Sequence, residues 1–320
     1  MSYFIGAYAS SPCGDQWKPE LEATFYTEIK KMPNVQGLEH PFLGSLHPHD
    51  DQWFLDNIDP NWNYVFTCIP GTMSELSKNP DFGLASSNEA GRHAALTFLD
   101  NARIAIKKLN SFVGRNAVSA IQIHSAPNQN YASSSKEHFQ ASLEVLLNWD
   151  WYGTKVVIEH CDTLTTEHAP AKGFLTIEEE IEAIKKANTV SKNTAGIIIN
   201  WGRSVIETHH VNGAIEHITQ AKDSGLLSGI MFSGVSDQET EFGAWQDTHM
   251  PPSPLTESST GEPTSLMTAQ EMHRCLNIAQ IEQKTDLLLG VKLGIRPSSA
   301  TIEDRIAYNT NALAILGKVL

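Results

Sequence analysis

Basic residues are scarce in this chain: 23 Lys and Arg stand against 37 Asp and Glu, a formal charge of −14 over 320 residues. Phosphate backbones and anionic membrane surfaces are held through Lys and Arg clusters, so neither nucleic acid nor membrane is expected as a partner. Cysteine is also sparse. Cys13, Cys68, Cys161 and Cys275 lie far apart with no CxxC pair, which argues against a zinc knuckle or a disulfide framework and for reduced thiols in a cytoplasmic protein. The opening MSYFIGAYASSP has no basic segment leading into a long apolar one, as a signal peptide would, and no apolar run reaches membrane-spanning length. A GxGxxG turn near the first or second strand is missing as well, and with it the mark of a doubly wound dinucleotide-binding sheet.

What the chain does have is a repeated unit. Its clearest copy is KVVIEHCD, Lys155 to Asp162. A short β-branched run of this kind suits a strand buried on both faces. Glu159 and His160 at its end would sit at the carboxyl edge of a parallel sheet, where α/β folds place their chemistry. Seven more runs follow the same plan: Tyr3–Ala9, Val35–Glu39, Tyr64–Ile69, Val118–His124, Ala195–Asn200, Gly229–Ser233 and Leu287–Leu293.

Between them lie helical stretches. They cover Pro19–Met32, Asp51–Asn57, Ser86 to Phe112, Ser134 to Asn148, Ile177–Asn188, Val211–Asp223, Ala269–Lys284 and Thr301–Leu316. Capping-box spacing marks four of these starts, at Ser86/Glu89, Ser134/Glu137, Thr176/Glu179 and Thr268/Glu271. Strict alternation of strand and helix means parallel pairing by crossover. Eight such units point to a single α/β domain over residues 1–320, a (β/α)8 TIM barrel. Residues 234–265, rich in Pro, Ser, Thr and Gly, read as a long irregular lid-like loop.

In such a barrel the strand ends share one mouth. They carry Tyr8, Glu39, His40, Thr67, His124, Glu159, His160, Asn200, Ser233 and Lys292, with Trp201, Arg203 and Glu207 just after the sixth strand. Glu159, Lys292, Glu39 and His124 are the candidate catalytic groups: a carboxylate to move a proton beside a carbonyl, and a lysine to steady the charge that develops. The lysine could instead serve as a Schiff-base amine if burial depresses its pKa. Asn200, Arg203, Ser233, His160, Glu207 and Trp201 are candidates for substrate binding. Arg203, with backbone donors at Ser233–Gly234 and near Gly294, could hold a phosphate.

The segments INWGRSVIE (Ile199 to Glu207), GIMFSGVSD and FIGAYASSP resemble a mostly bacterial family of TIM-barrel proteins, a domain of unknown function related to the xylose-isomerase-like barrels. The resemblance covers essentially the whole chain, and some members carry a 6-phospho-β-glucosidase label. The superfamily implies sugar isomerases and epimerases, commonly with a divalent metal held by residues ending strands five to eight. Only Glu159 matches that ligand pattern. Asn200, Ser233 and Lys292 occupy the other places, and a lysine ammonium repels a cation, so a divalent metal in the usual site is disfavoured, although His124, His160 and Glu39 could build a different one; no other cofactor is indicated.

The expectation is therefore a sugar or sugar-phosphate isomerase or epimerase, with exposed barrel helices available for a homodimer. Two alternatives stand beside it: a glycoside or 6-phosphoglycoside hydrolase using Glu39 and Glu159, and a non-catalytic sugar-binding barrel in which Glu159 and Lys292 form a plug.

Overall fold

The apolar runs of the chain become eight parallel strands: β1 (Tyr3–Ile5), β2 (Val35–Pro41), β3 (Asn63–Thr67), β4 (Val118–Ile123), β5 (Lys155–His160), β6 (Ala195–Asn200), β7 (Leu227–Phe232) and β8 (Leu288–Val291). In the computed structural model, which describes residues 2–14, 16–281, 283 and 286–317, they pair in chain order and β8 returns to β1, closing a barrel. The (β/α)8 reading is correct.

Helices α1 (Pro19–Ile29), α2 (Asp51–Asn57), α3 (Ile69–Leu76), α4 (Glu89–Val113), α5 (Lys136–Leu146), α6 (Ile177–Val190), α7 (Trp201–Thr208), α8 (Asn212–Asp223), α9 (Ala269–Ala279) and α10 (Ile302–Gly317) surround it. None of the described helices is long and apolar enough to cross a membrane.

Several boundaries differ from the sequence reading, for local reasons. Ile69 and Pro70 open α3 instead of closing the third strand, because proline is at home in a first helical turn. Helix α4 is capped by Asn88, whose side chain accepts from the Ala90 and Gly91 N–H groups, and not by Ser86. Likewise Ser135, not Ser134, caps α5. The box at Thr176 and Glu179 is reciprocal as expected, and Thr268 accepts from the Glu271 N–H. The helix read as reaching Lys284 ends at Ala279, where Gln280 turns left-handed; Lys284 itself lies outside the described residues.

Strand alternation fixes what each side chain meets. One set of positions, Phe4, Val65, Ala120, Val157, Ile198, Met231 and Leu288, packs together inside the barrel. Burying each larger member stabilises the fold by about 1.5–3 kcal/mol. The intervening positions face the helices and join the large outer core, as Ile5, Phe66, Ile121, Ile158, Ile199 and Phe232 do. Two residues further along the inward-facing set, the interior turns polar: Glu39, Thr67, Gln122, Glu159 and Asn200, all fully buried. That polar layer is the floor of the mouth.

One glycine sets how the sixth unit enters the mouth. A Cβ on Gly202 would stand 2.4 Å from the backbone oxygen of Ser233 at the end of β7. Only glycine lets α7 start this close to the neighbouring strand, which is what aims Arg203 inward. Gly202→Ala should lower unfolding stability by about 1–3 kcal/mol through overpacking. Urea titration reads this, and an unchanged midpoint would mean that the close approach relaxes freely.

Candidate active site

A charged chain of side chains spans the mouth. Lys292, the residue after β8, is fully buried with its Nζ 3.1 Å from Glu39 Oε2 and 3.4 Å from Glu159 Oε1. Glu159 is saturated with donors. Asn200 Nδ2 reaches Oε1 at 3.0 Å, and His124 Nε2 and Arg203 Nη1 reach Oε2 at 3.0 and 2.8 Å. Arg203 continues to Asp247 Oδ2 through Nε at 3.2 Å. Asp247 also takes Lys172 Nζ at 2.9 Å and His249 Nδ1 at 3.3 Å, and Ser233 Oγ lies 2.8 Å from the same His249 nitrogen.

Asn200 serves two elements at once. Its Oδ1 accepts the Arg203 N–H at 3.4 Å, capping α7, while its amide holds Glu159. Gly6 makes room for the central pair, since a Cβ there would stand 3.2 Å from Glu39 Oε2 and from Lys292.

The two carboxylates experience opposite environments. Burial raises the pKa of both, but at Glu159 the charges of Arg203 and Lys292 and the donor His124 overcome it and hold the group well below the usual range. At Glu39 burial wins: Lys292 opposes it, Glu159 reinforces it, and the pKa ends above its ordinary value. Neither Glu39 oxygen receives a directed hydrogen bond despite the nearby ammonium.

Lys292 is also pulled two ways. Burial disfavours the ammonium, yet Glu159 and Glu39 overrule it, so the pKa lies above that of an ordinary lysine. A Schiff-base amine would need the reverse shift. His124 is neutral, pushed down to about 4 by burial.

A cavity of about 320 Å³ opens beside Glu39, over the ends of β1 and β2. Tyr8, Trp17, His47 and His49 line it together with Glu39. The Trp17 ring stacks on His49 at 5.0 Å and 9°, and its Nε1 donates to Glu22 Oε2 at 2.6 Å. Of the described residues lining this cavity, none is Lys or Arg. Tyr8 Oη, Thr67 Oγ1, Gln122 Oε1 and Nε2, and His124 Nδ1 are buried nearby without a hydrogen-bond partner. Orphan polar atoms gathered at one end of a barrel are what a ligand or water would satisfy.

The structure thus brings together Glu39, His124, Glu159, Asn200, Arg203, Ser233 and Lys292. It does not bring in His160, Glu207 or Trp201, and their expected place in the mouth is corrected. Glu159 points inward on β5, so its neighbour His160 must point outward, where its Nδ1 meets Glu180 Oε2 at 2.8 Å. Glu207 joins that outer group, and Trp201 is buried in the helix layer near Cys275 on α9. His40 faces outward too, against Phe54 on α2 at 4.4 Å.

The phosphate cradle is overturned as well. The Gly234 N–H is used by Met250 O and the Gly294 N–H by His249 O, at 2.8 and 2.6 Å, and Arg203 is committed to Glu159 and Asp247. Lys172, Asp247, His249 and Trp17 come from loops with no periodicity, so nothing in the strand pattern singled them out.

A divalent ion of the kind the superfamily implies does not fit this mouth. The Lys292 ammonium stands between the carboxylates that would have to hold it, and like charges so close repel strongly in a dry site.

The family described as Domain of unknown function (DUF4862) matches residues 4–308. The uncharacterized protein STM3670 of Salmonella typhimurium is 37% identical over 99% of this chain and 97% of its own. Among solved structures, a putative xylose isomerase from Rhodospirillum rubrum superposes with a TM-score of 0.61 at 10% identity, covering 99% of each chain. A D-allulose 3-epimerase from Methylomonas sp. superposes with a TM-score of 0.55 at 12% identity, covering 100% of this chain and 98% of that one. At such identities the likeness is one of fold.

Replacing Lys292 by Met would leave two buried carboxylates without their shared cation. The loss should be about 3–5 kcal/mol. It should also depend on pH: Glu39 would titrate still further above its unfolded value while Arg203 keeps Glu159 ionised, so the variant is least impaired below about pH 4.5 and loses stability as pH rises. Denaturant unfolding from pH 4.5 to 8 checks this, and a parallel offset at every pH would contradict the shared-cation account.

Proposed function

We propose, on the premise that this chain belongs to the DUF4862 family and folds as a xylose-isomerase-like TIM barrel, that it isomerises or epimerises a small unphosphorylated sugar. Glu39 would move the proton. One observation carries the reading: of two buried carboxylates sharing one lysine, only the one with the raised pKa lines the cavity. A carboxylate shifted toward neutral pH transfers protons well in both directions, whereas a permanent anion does not.

In this reading the sugar lies against Trp17 with its carbonyl toward Lys292. Glu39 takes the proton from the carbon beside the carbonyl, and the electron pair moves onto the carbonyl oxygen as an enolate. Lys292 does not line the cavity; its ammonium, 3.1 Å from Glu39 Oε2, would balance that charge from behind Glu39 without a metal. The neighbouring hydroxyl passes its proton to the enolate oxygen, and return of the abstracted proton from Glu39 to the former carbonyl carbon then gives the isomer; protonation of the original carbon from the opposite face by water, with Glu39 returning its proton to the hydroxide left behind, gives the epimer. Glu159 is a positioning residue here, since its four donors occupy its acceptor sites and hold Lys292, His124 and Arg203 in place.

The cavity's size and lining support the substrate class. A volume of about 320 Å³ suits a monosaccharide, and a lining with no Lys or Arg among its described residues offers a phosphate nothing to pair with. Hydrolysis of a glycoside by the Glu39 and Glu159 pair is less well supported, because it needs both carboxylates at the ligand and Glu159 does not line the cavity.

Incubation with unphosphorylated aldoses and ketoses in D2O should place deuterium beside the carbonyl, read by NMR. Glu39→Gln should slow this by about 10²–10⁴-fold with little change in sugar affinity. Exchange at the native rate in that variant would remove Glu39 from the chemistry. Sugar binding by the native protein without any exchange would favour a binding barrel. A second comparison tests the substrate class: a neutral sugar should bind at least tenfold more tightly than its phosphate ester, and the reverse order would refute the unphosphorylated assignment.

A further inference from the structure

A second cluster lies on the outer face of the barrel wall, one residue from Glu159 in sequence but separated from the mouth by the sheet. His160 on β5, Glu207 on α7 and His217 on α8 turn their ligating atoms to a common point, all within 4.8 Å of one another. We propose that these three residues form a metal site for a zinc-class divalent cation, independent of the mouth and of any activity there.

Geometry separates a metal site from a plain salt-bridge network. His160 Nε2 and His217 Nε2 each stand 3.4 Å from an oxygen of Glu207, Oε2 and Oε1 respectively. Charge-assisted N–H···O bonds close to about 2.7–2.9 Å. Both contacts are longer than that. Ligands at about 2.0–2.2 Å from a tetrahedral zinc lie about 3.3 Å from each other, which matches each histidine with its own Glu207 oxygen, and one atom from each of the three residues lies within 4.8 Å of the others. His160 Nε2 is fully buried and has no hydrogen-bond partner.

The opposite ring nitrogens are already fixed. His160 Nδ1 lies 2.8 Å from Glu180 Oε2, and the other Glu180 oxygen accepts Ser125 Oγ at 2.5 Å. His217 Nδ1 lies 3.0 Å from Ser204 Oγ. A carboxylate behind a ligating histidine places the proton on Nδ1 and leaves the Nε2 lone pair facing the metal. The Ser204 hydroxyl can accept from His217 Nδ1 in the same sense, and in that tautomer both imidazoles present lone pairs to the Glu207 carboxylate, which a cation between them would satisfy. Glu180 and Glu207 supply two negative charges, which one divalent ion cancels.

Glu207 is held in register by the Thr163 N–H on Oε2 at 2.9 Å, and its side chain is 12% exposed. Solvent can therefore deliver the ion and supply a fourth ligand. Two histidines and one carboxylate with an open position suit zinc, and cobalt or nickel as substitutes. The ion would tie β5, which carries Glu159, to α7 and α8.

The test uses the full-length native protein, stripped with chelator and dialysed against Zn²⁺ or Co²⁺ alone. Elemental analysis should find one zinc per chain, the cobalt form should show the strong visible bands of tetrahedral coordination, and zinc should raise Tm. His217→Asn and Glu207→Gln should each lose the ion, while Glu39→Gln in the mouth should keep it. Zinc retained equally by native protein and both variants would assign it to surface histidines and overturn the proposal. So would the absence of stoichiometric uptake, or loss of zinc in Glu39→Gln. If both outer variants fail to fold by circular dichroism, X-ray absorption of the native cobalt form decides: two imidazole nitrogens support the site, and an oxygen-only shell refutes it.

Discussion

An ammonium with no exposed surface is costly to hold, and the mouth of this barrel is built around holding one. Removing Lys292 from water costs several kcal/mol, which only close carboxylates can return. Two are supplied, at 3.1 and 3.4 Å. A second carboxylate beside a first would ordinarily be repelled, so Arg203, His124 and Asn200 gather on Glu159 and fix it as the anion. At Glu39 burial outweighs the shared lysine and Glu159 reinforces it, and the raised pKa follows. The difference between the two acids is therefore set by what surrounds each of them. The same lysine places a positive charge between the two carboxylates.

Strand alternation divides the chain's chemistry in two. Glu159 and His160 are adjacent in sequence, yet the pleat sends one into the barrel and the other into the helix layer. Each then recruits its own partners: arginine, lysine and amide inside, two glutamates and a second histidine outside. Wild-type spacing thus places two polar centres back to back across a single strand. A displacement of β5 by one residue would exchange them, which is one reason such a strand needs firm register with both neighbours.

Much of the fold was legible because burial on both faces demands β-branched runs, and those runs are hard to mistake when helices separate them. Sidedness was harder. EH at the end of a strand shows that polar residues are present, but only the register says which one faces the axis. Hence Glu39, His124, Glu159, Asn200 and Lys292 were found together, while His160, Glu207 and Trp201 were placed on the wrong side of the wall. The short helices α3 and α7 have no counterpart in the sequence reading, because each starts directly at a strand end with no connecting loop to announce it. Asp247, His249 and Trp17 sit in irregular segments whose positions depend on distant contacts, and no local pattern encodes those.

The long segment after β7 decides where a ligand can enter. It pairs with the rim through Gly234 and Met250 in both directions, places Asp247 on Arg203, and stacks Trp245 on His209 at 4.3 Å. These contacts cover the side of the mouth formed by β6 and β7. The open cavity lies on the other side, over β1 and β2, where Trp17 and His49 form an aromatic wall. Approach is thus directed to Glu39, while Arg203 and Lys172 are neutralised by Asp247 beneath the covering segment. The described residues lining that cavity include no Lys or Arg, and the orphan polar atoms beside the stacked Trp17 and His49 rings are what the proposed uncharged sugar would meet.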